Sequence, residues 1–249
     1  MTDPGSAELR EDYEERYDAG GGDTARYGEW RALCAESKAD HVAELVRALP
    51  EPPALVLEVG CGDGGLLSAL AARGVGERRE GVDISGRAVE LAAQRPEIAS
   101  VQRFDGATLP YGDKACHLGL LSHVLEHVPD PVPLLAEAAR ACRALVVEVP
   151  LEDNRSASRP SAERGREELG HLHRLSRKDV RELAAQAGLR VAGELADPLP
   201  AAIHTFWAEG PAAQATALGK AAVRRGLFSV APAAAERTFT VHYACLLVP

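Results

Sequence analysis

The chain has 249 residues, of which 46% are hydrophobic and 26% are charged. This length and composition indicate an ordinary globular protein with one large domain, or a domain with a small appendage. The formal net charge of −9 argues against a broad nucleic-acid-binding face, which usually needs a basic field.

The sequence carries no stretch that predicts a membrane span or an export signal. No uninterrupted apolar run is long enough to cross a bilayer, and the acidic residues 1–18 lack the apolar segment of a secretory signal. The five cysteines are scattered singly and form no CxxC pair, which argues against a disulfide framework or a cysteine zinc site. We therefore expect a reduced, cytoplasmic protein that does not bind membranes.

The predicted elements begin with an N-terminal arm and cap helix over residues 1–49. Residues 1–26 are interpreted as a mobile or loosely docked arm. Apolar residues at helical spacing then predict a helix from Tyr27 to Leu49, which the PEPP sequence at 50–53 ends. The aromatic residues of this unit predict either a helix that covers the sheet or a lid over a bound cation, since an aromatic face attracts positive charge. They are Tyr13, Tyr17, Tyr27 and Trp30.

From residue 50 onwards, strands and helices alternate. Apolar runs predict strands at 54–59, 79–83, 100–104, 116–122, 144–150, 189–195 and 239–248. In the segments between the strands, Ser85 and Asp130 are predicted to be helix N-caps, and Pro131 is predicted to be a first helical residue. Ser176 and Asp179 are predicted to form a capping box. This alternation implies right-handed crossovers and a mostly parallel sheet. No full crossover pattern precedes the last strand, which can therefore enter antiparallel.

Two insertions within the domain at 50–249 are predicted to form a substrate lid. Residues 151–171 are polar, mix charges and lack apolar periodicity, which predicts a loop or lid. Residues 196–237 are rich in alanine and proline and contain one predicted helix around 212–225.

The stretch LEVGCGDGG, residues 57–65, places several glycines directly after the first strand. Gly60, Gly62 and Gly65 fit the spacing GxGxxG. This spacing is typical of an anion- or dipole-binding corner, but a tight strand-to-helix turn without a ligand also shows it. Asp83 lies at the end of the second strand, where a carboxylate can accept both hydroxyls of a ribose.

Carboxylates around this corner indicate the charge of the ligand. Glu58 precedes the glycines and Asp63 lies among them, so a pyrophosphate would meet two nearby carboxylates. A nucleoside with a positively charged, amino-bearing tail avoids this repulsion and is favoured over a dinucleotide. Asp105 ends the third strand, where a carboxylate can accept the amine of an adenine. These strand ends converge on the carboxyl edge of one sheet, where open α/β folds bind ligands.

Three stretches carry a resemblance to a known family: LEVGCGDGG at 57–65, GVDIS at 81–85, and DGATLPYGDKACHLGLLSHVLEHVPDP at 105–131. Together they resemble the successive motifs of class I S-adenosylmethionine-dependent methyltransferases. The similarity is closest to the small-molecule group that includes quinone and natural-product methyltransferases, and it covers about residues 54–195. It implies an α/β fold with a doubly wound, seven-stranded, mostly parallel sheet. This is the Rossmann-like methyltransferase fold, with strand order 3-2-1-4-5-7-6 and the last strand antiparallel.

The resemblance also implies a cofactor, S-adenosylmethionine, and roles for individual residues. The methionine part would be surrounded by Glu58, Gly60, Cys61, Gly62 and Asp63. The ribose would be held by Asp83, and the adenine by Ile84, Asp105 and Gly106. The cofactor near its sulfur would be lined by Ser122 and His123. One pair departs from the family pattern: Cys116 and His117 stand where Phe-Asp is frequent.

Methyl transfer is an in-line displacement at a sulfonium carbon. It needs alignment and desolvation, and a base where the nucleophile carries a proton. The candidate catalytic residues are His171, His173 and His123. For His171 and His173, the alternative is that they anchor the lid to the edge of the sheet. A metal is not expected, because this pair has no third ligand at a matching spacing.

The sequence therefore predicts an S-adenosylmethionine-dependent methyltransferase. Its acceptor would be a small molecule, methylated at oxygen or nitrogen in a bacterial secondary-metabolite or similar pathway. An NAD(P)-dependent oxidoreductase is an alternative, because the same glycines and Asp83 permit it. A non-catalytic, methyltransferase-like scaffold is another. The expected partner is the small-molecule methyl acceptor, and nucleic acid is not expected as a partner. The formation of a homodimer is left open.

Overall fold

The computed structural model describes Glu14, Tyr17 and residues 24–249, so most of the expected arm lies outside the described residues. The strands are β1 (Leu55–Val59), β2 (Arg78–Asp83), β3 (Ser100–Arg103), β4 (Cys116–Ser122), β5 (Cys142–Pro150), β6 (Arg190–Asp197) and β7 (His242–Val248). The helices are α1 (Thr24–Leu45), α2 (Gly65–Ala72), α3 (Gly86–Ala92), α4 (Pro131–Ala141), α5 (Pro160–Glu168), α6 (Arg177–Gln186), α7 (Ala201–Thr205), α8 (Gly210–Val230) and α9 (Pro232–Glu236). Short 3-10 turns lie at Val46–Ala48 and Leu125–His127.

The seven strands form one sheet in the order β3-β2-β1-β4-β5-β7-β6. Neighbouring strands from β3 through β5 pair in parallel, whereas β7 is antiparallel to both β5 and β6. The predicted doubly wound α/β fold, its strand order and its antiparallel last strand are confirmed. The strand order reverses between β1 and β4, and the carboxyl ends of such strands open a crevice where α/β folds bind ligands.

Apolar side chains cover both faces of the sheet. On one face Leu57 and Leu145 pack in a cluster with Leu135 of α4. On the other face Val56 packs in a cluster with Leu70 of α2. Successive residues of a strand point to opposite faces, so a strand buried on both sides reads as a continuous apolar run. This is the reason that the central strands could be predicted from the sequence.

The predicted caps are confirmed and fix where three helices begin. The Ser85 side chain accepts a backbone N–H from the first turn of α3, and Asp130 does the same for α4, which starts at Pro131. Ser176 and Asp179 form a reciprocal capping box at α6. These caps end the segments that follow β2, β4 and α5, and therefore help to set the shape of the sheet's carboxyl edge.

The two insertions are more helical than predicted. Helix α5 lies within residues 151–171, where a loop or lid was expected. It has no buried residue, so no apolar periodicity marks it in the sequence. Residues 196–237 form α7, α8 and α9 rather than one helix, and α8 is longer than the expected 212–225. Alanine favours helix without burial, and Ala221 is the one buried residue of α8. Within the part of the chain that the structure describes, no helix combines the length and apolarity needed to cross a bilayer.

Candidate cofactor site and the neighbouring histidine–glutamate cluster

The turn after β1 depends on glycine for both its backbone and its free space. Gly60, Gly62 and Gly64 have φ values of +75°, +54° and +76°, the left-handed region that other residues rarely adopt. A Cβ on Gly62 would lie 2.5 Å from the Tyr17 hydroxyl, and one on Gly60 would lie 2.7 Å from the Val124 side chain. The glycines therefore permit a close approach of other groups to the backbone at this corner.

Asp83 ties the glycine turn to the start of α3. Its Oδ2 accepts the N–H of Gly62 at 2.8 Å, and its Oδ1 accepts the N–H of Ser85 at 2.9 Å. Burial raises the pKa of Asp83, although these two N–H groups favour the carboxylate. Asp83 is predicted to hold the ribose of the cofactor. It also fixes the glycine turn, which is predicted to surround the methionine part.

The residues predicted to hold the adenine lie together at the ends of β2 and β3. A Cβ on Gly106, which has a φ of +87°, would lie 3.5 Å from the Ile84 side chain. Asp105 Oδ1 accepts the N–H groups of Ala107 and Thr108 at 2.8 and 2.7 Å. Asp105 therefore stabilises the small loop that brings Gly106 against Ile84.

Asp63 is paired with arginines. Arg31 Nε donates to its Oδ2 at 3.0 Å, an Arg95 guanidinium nitrogen lies 3.6 Å from its Oδ1, and the N–H of Gly65 donates to Oδ1 at 3.1 Å. These two guanidinium groups offset the charge of Asp63, which weakens the argument that its carboxylate would repel a pyrophosphate.

Four buried polar atoms at the carboxyl ends of β1 and β4 have no aligned hydrogen-bond partner. They are Glu58 Oε2, Ser122 Oγ and both carboxylate oxygens of Glu126. A buried polar atom without a partner costs about 1–3 kcal/mol, so a cluster of them is typical of a ligand site. Glu58 is only 4% exposed, and burial raises its pKa well above the usual range. These acceptors fit S-adenosylmethionine, which offers an amino group, ribose hydroxyls and a sulfonium.

Two described residues of the N-terminal arm, Glu14 and Tyr17, contact this corner. Glu14 accepts hydrogen bonds from Ser85 Oγ and from two backbone N–H groups of α3 at 2.8–3.0 Å. Tyr17 lies against Gly62, and the Arg31 guanidinium stacks over its ring at 5.2 Å. An aromatic lid stays a prediction, and Tyr13 lies outside the described residues.

Beside the glycine corner, five polar side chains form what we call the histidine–glutamate cluster: His41, His123, Glu148, Asp197 and His242. His242 Nδ1 lies 3.1 Å from Glu148 Oε1 and 3.3 Å from His123 Nε2. His41 Nδ1 lies 3.1 Å from Glu148 Oε2, and His41 Nε2 lies 3.2 Å from Asp197 Oδ2. The cluster adjoins the glycine corner because Val124, the neighbour of His123, packs on Gly60.

Burial and pairing shift the pKa values of this cluster in opposite directions. Burial places the pKa of His123 well below the usual histidine value. Burial acts to raise the pKa of Glu148, but hydrogen bonds with His242 and His41 outweigh it and lower that pKa. Burial acts to lower the pKa of His41, but hydrogen bonds to Asp197 and Glu148 raise it to about 9. Near neutral pH, His41 is therefore a cation between two carboxylates, whereas His123 is uncharged.

The other two histidines predicted as catalytic lie in the segment after α5. His171 Nδ1 lies 2.9 Å from Glu152 Oε2, and His173 Nε2 lies 2.8 Å from the Val128 carbonyl. The backbone N–H of His173 also donates to the Glu126 carbonyl at 3.2 Å. These contacts attach the segment to the turn after β4, in line with the anchoring alternative. A catalytic role for either histidine stays a prediction.

Sequence reasoning missed His41, Asp197 and His242. Each is distant from the recognised motifs. The sheet register brings His242 to Asp197, since His242 pairs with both Pro150 of β5 and Asp197 of β6, and the packing of α1 on these strands adds His41. The sequence signal that could have pointed to this cluster was Glu148, a charged residue inside the apolar run ALVVEVP. A buried carboxylate needs partners, so a search for unassigned histidines would have found two of the three.

Two surface cavities lie along the insertions predicted as a substrate lid. One has a volume of about 530 Å³ and is lined mainly by α8, with Lys220 and Arg224 among its residues. The other has a volume of about 320 Å³ and is lined by Glu152, Arg159, Arg224 and neighbouring residues. Neither cavity is lined by residues of the glycine corner.

Comparison with known proteins agrees with this architecture. The family model described as "Methyltransferase domain" matches residues 27–193. A methyltransferase of uncharacterised activity from Mycobacterium leprae is 34% identical over 119 residues, 46% of this chain and 43% of that protein. The chain's matches span less than half the length of the curated relatives.

Solved structures at low identity share the fold. One is a geranyl diphosphate C-methyltransferase from Streptomyces coelicolor, solved with Mg²⁺, geranyl diphosphate and S-adenosyl-L-homocysteine. Its comparison with this chain gives a TM-score of 0.65 and 14% sequence identity, and it covers 100% of this chain and 99% of that one. A complex of the Trm112 methyltransferase activator with a methyltransferase from Haloferax volcanii gives a TM-score of 0.63, 20% identity and coverage of 95% and 96%. The chain belongs to the methyltransferase-domain family and has the fold of class I S-adenosylmethionine-dependent methyltransferases.

Proposed function

We propose that the protein transfers the methyl group of S-adenosylmethionine to an oxygen or nitrogen atom of a small molecule. One observation carries the proposal. Buried oxygens of Glu58, Ser122 and Glu126 that have no aligned hydrogen-bond partner lie at the ends of β1 and β4, beside a glycine turn that leaves the backbone bare. A bound cofactor and acceptor would supply the partners that these atoms lack.

Residues of the corner would hold the cofactor in distinct ways. Glu58, with Gly60, Cys61, Gly62 and Asp63, would surround the methionine part, where the buried Glu58 carboxylate attracts positive charge. Asp83 would accept the ribose hydroxyls. The adenine would lie between Ile84 and Gly106, with Asp105 accepting its amine. Ser122 and His123, at the tip of β4, would line the side facing the sulfur. The cofactor supplies an activated methyl group, and the chain's task is to align it and exclude water.

The acceptor would lie between the histidine–glutamate cluster and the two insertions. Of the three histidines predicted as catalytic, only His123 belongs to that cluster, so we place the reacting atom of the acceptor beside it. The geranyl diphosphate methyltransferase of Streptomyces, which has a similar fold, acts on a small molecule, and this supports the same acceptor class. We extend the proposal to a cytoplasmic enzyme of a secondary-metabolite or similar pathway that does not bind nucleic acid.

Calorimetry and mass spectrometry test the proposal. The purified chain is titrated with S-adenosylhomocysteine and, separately, with NADH. It is then incubated with S-adenosylmethionine and a panel of hydroxylated and amine-bearing metabolites. We expect binding of S-adenosylhomocysteine and a product heavier by one methylene at oxygen or nitrogen. Binding of NADH alone would favour the oxidoreductase alternative, cofactor binding without any product would favour the scaffold, and a carbon-methylated product would contradict the assigned acceptor atom.

A further inference from the structure

We propose that His123 Nε2, His242 Nδ1 and Glu148 Oε1 form a binding site for one divalent transition-metal ion. The three atoms lie 3.3 Å (His123–His242), 3.1 Å (His242–Glu148) and 3.9 Å (His123–Glu148) from one another. They come from three separate chain segments: the turn after β4, the carboxyl end of β5 and the start of β7. Two imidazoles and one carboxylate form a ligand set that suits zinc and iron(II) rather than magnesium or calcium.

The triangle of ligand atoms has the size that a metal requires. Its sides allow a single point about 2.1 Å from all three atoms, which matches the bond lengths of zinc to histidine nitrogen and carboxylate oxygen. His242 Nδ1 is directed at both of the other atoms, as expected if its lone pair points between them. The two histidine side chains remain 21% and 13% exposed, which leaves access for a fourth ligand.

Hydrogen bonds among these three groups leave the triangle incompletely satisfied. His242 Nδ1 carries at most one proton. It can donate that proton to Glu148 or accept one from His123, but it cannot do both, although it lies within 3.3 Å of each. A cation in the triangle would satisfy both ring nitrogens and the carboxylate at the same time.

The surroundings supply the outer contacts that orient metal ligands. The second nitrogen of His123, Nδ1, lies 3.1 Å from Oε1 of Glu126, a carboxylate that is 1% exposed and has no aligned partner for either oxygen. The second oxygen of Glu148 contacts His41, whose other nitrogen contacts Asp197. Carboxylate–histidine–metal arrangements of this kind orient the ring and fix its tautomer.

The backbone of His123 adopts the left-handed conformation at the start of the turn after β4. His123 has a φ of +58°, which is uncommon for a residue other than glycine. Its N–H donates to the carbonyl of Glu148 at 2.8 Å, so one ligand residue holds the backbone of another. Such strain occurs where a side chain must take one position for function.

The role of the metal in catalysis rests on the proposed methyl transfer. An acceptor hydroxyl bound as the fourth ligand would lose its proton to solvent more readily, because a cation stabilises the alkoxide. The oxygen then forms a bond to the methyl carbon while the carbon–sulfur bond breaks, and S-adenosylhomocysteine leaves. Metal binding itself can be measured without any acceptor.

The test uses the full chain without an affinity tag, stripped by a chelator and titrated with Zn²⁺ by calorimetry. Bound zinc is then counted by mass spectrometry after gel filtration. We expect one ion per chain. His242→Ala and His123→Asn should weaken binding by about 100-fold or more, and Glu126→Gln by about 10–100-fold. Asparagine is chosen at position 123 because it tolerates the left-handed backbone.

The control variant is His117→Gln, because His117 lies at the opposite end of β4 and accepts the N–H of Leu55 at 3.2 Å, a contact that glutamine can retain. It should bind zinc as the unmodified chain does. The absorption spectrum with Co²⁺ separates histidine and carboxylate ligands from the five cysteines, whose thiolates give a charge-transfer band. Zinc binding that survives both histidine substitutions, a thiolate band, or no uptake by a chain with an unchanged thermal unfolding curve would overturn the site.

Binding of S-adenosylhomocysteine to the same samples separates this inference from the proposed function. Uptake of S-adenosylhomocysteine without zinc would overturn the metal site and leave the methyltransferase proposal in place. Uptake of zinc without S-adenosylhomocysteine would support the metal site and contradict the proposed function.

Discussion

The N–H of Gly62 donates to the Asp83 carboxylate at 2.8 Å, and this bond joins the turn after β1 to the end of β2. The donor belongs to a residue whose backbone favours glycine, because its φ is +54° and a Cβ would lie 2.5 Å from the Tyr17 hydroxyl. The acceptor is buried and also holds the N–H of Ser85 at the start of α3. The sequence predicted one site for the methionine part and another for the ribose. The Asp83 carboxylate joins the backbone of the two sites through its hydrogen bonds.

Substitution Gly62→Val should abolish binding of S-adenosylhomocysteine. A branched side chain is strained at a positive φ and would fill the space that the ligand needs. Calorimetry measures the loss, and circular dichroism checks that the chain is folded. Gly112→Ala is the matched control, since a Cβ there meets nothing within 4 Å. A folded Gly62→Val chain with an unchanged dissociation constant would show that the ligand lies elsewhere.

Substitution Asp83→Ala should weaken binding of S-adenosylhomocysteine by about 1–3 kcal/mol, because it removes charge-assisted hydrogen bonds to the ribose and frees the N–H of Gly62. The dissociation constant by calorimetry is the measurement. Asp113→Ala provides a comparison, since the Asp113 carboxylate is exposed and pairs with Arg140. Equal affinities for the Asp83→Ala chain and the unmodified chain would refute the ribose assignment.

Substitution Glu58→Gln should stabilise the ligand-free chain at neutral pH and weaken cofactor binding. Burial raises the pKa of Glu58, so the folded state binds a proton more tightly than the unfolded state does. The stability of the unmodified chain therefore falls as the pH rises above about 4.3, the unfolded value. Glutamine removes this dependence, and we expect a gain of about 1–3 kcal/mol near neutral pH.

Urea unfolding of the Glu58→Gln chain across a pH series measures this effect. The gain should shrink towards zero as the pH falls to about 4. Glu77→Gln serves as a control, since Glu77 precedes β2 on the amino edge of the sheet, away from the cofactor corner. A Glu58→Gln chain that is less stable than the unmodified chain at every pH would mean that the carboxylate is satisfied without a ligand.

Substitution Glu194→Gln should cost about 1 kcal/mol of unfolding free energy near neutral pH. Burial acts to raise the pKa of Glu194, but hydrogen bonds from Arg181 and Tyr243 lower it to about 2. Arg177 adds a contact at 2.9 Å. The group therefore stabilises the fold above its unfolded pKa of about 4.3, and this contribution is lost as the pH falls towards 2.

Urea unfolding near pH 7 and near pH 3 distinguishes this charge effect from simple loss of packing. The difference between the Glu194→Gln chain and the unmodified chain should narrow at the lower pH. Glu182→Gln is the control, because Glu182 contacts Lys178 in an exposed pair on the same helix α6. A difference of constant size at both pH values would contradict the pKa assigned to Glu194.

Local sequence signals predicted most of the strands and helices, because the central strands are apolar on both faces and three helices carry strong caps, whereas the strand order was implied by the family resemblance. Helix α5 escaped prediction because none of its residues is buried, so burial imposed no period on its sequence. The ends of α8 escaped for the same reason, since Ala221 is its one buried residue. The helical period of apolar residues arises where a helix packs on the core. A helix that lies on the surface with few buried residues therefore shows little of this period in its sequence.

The cofactor corner was determined by the sequence itself. Its residues lie in short stretches after β1, β2 and β3, and parallel strands bring their carboxyl ends together whatever the details of packing. The histidine–glutamate cluster was decided by tertiary structure alone. His242 reaches Glu148 because β7 enters antiparallel in one particular register, and His41 reaches it because α1 packs across the same strands. Sequence distance carries no information about such contacts, since side chains meet through the register of the sheet and the packing of helices on it.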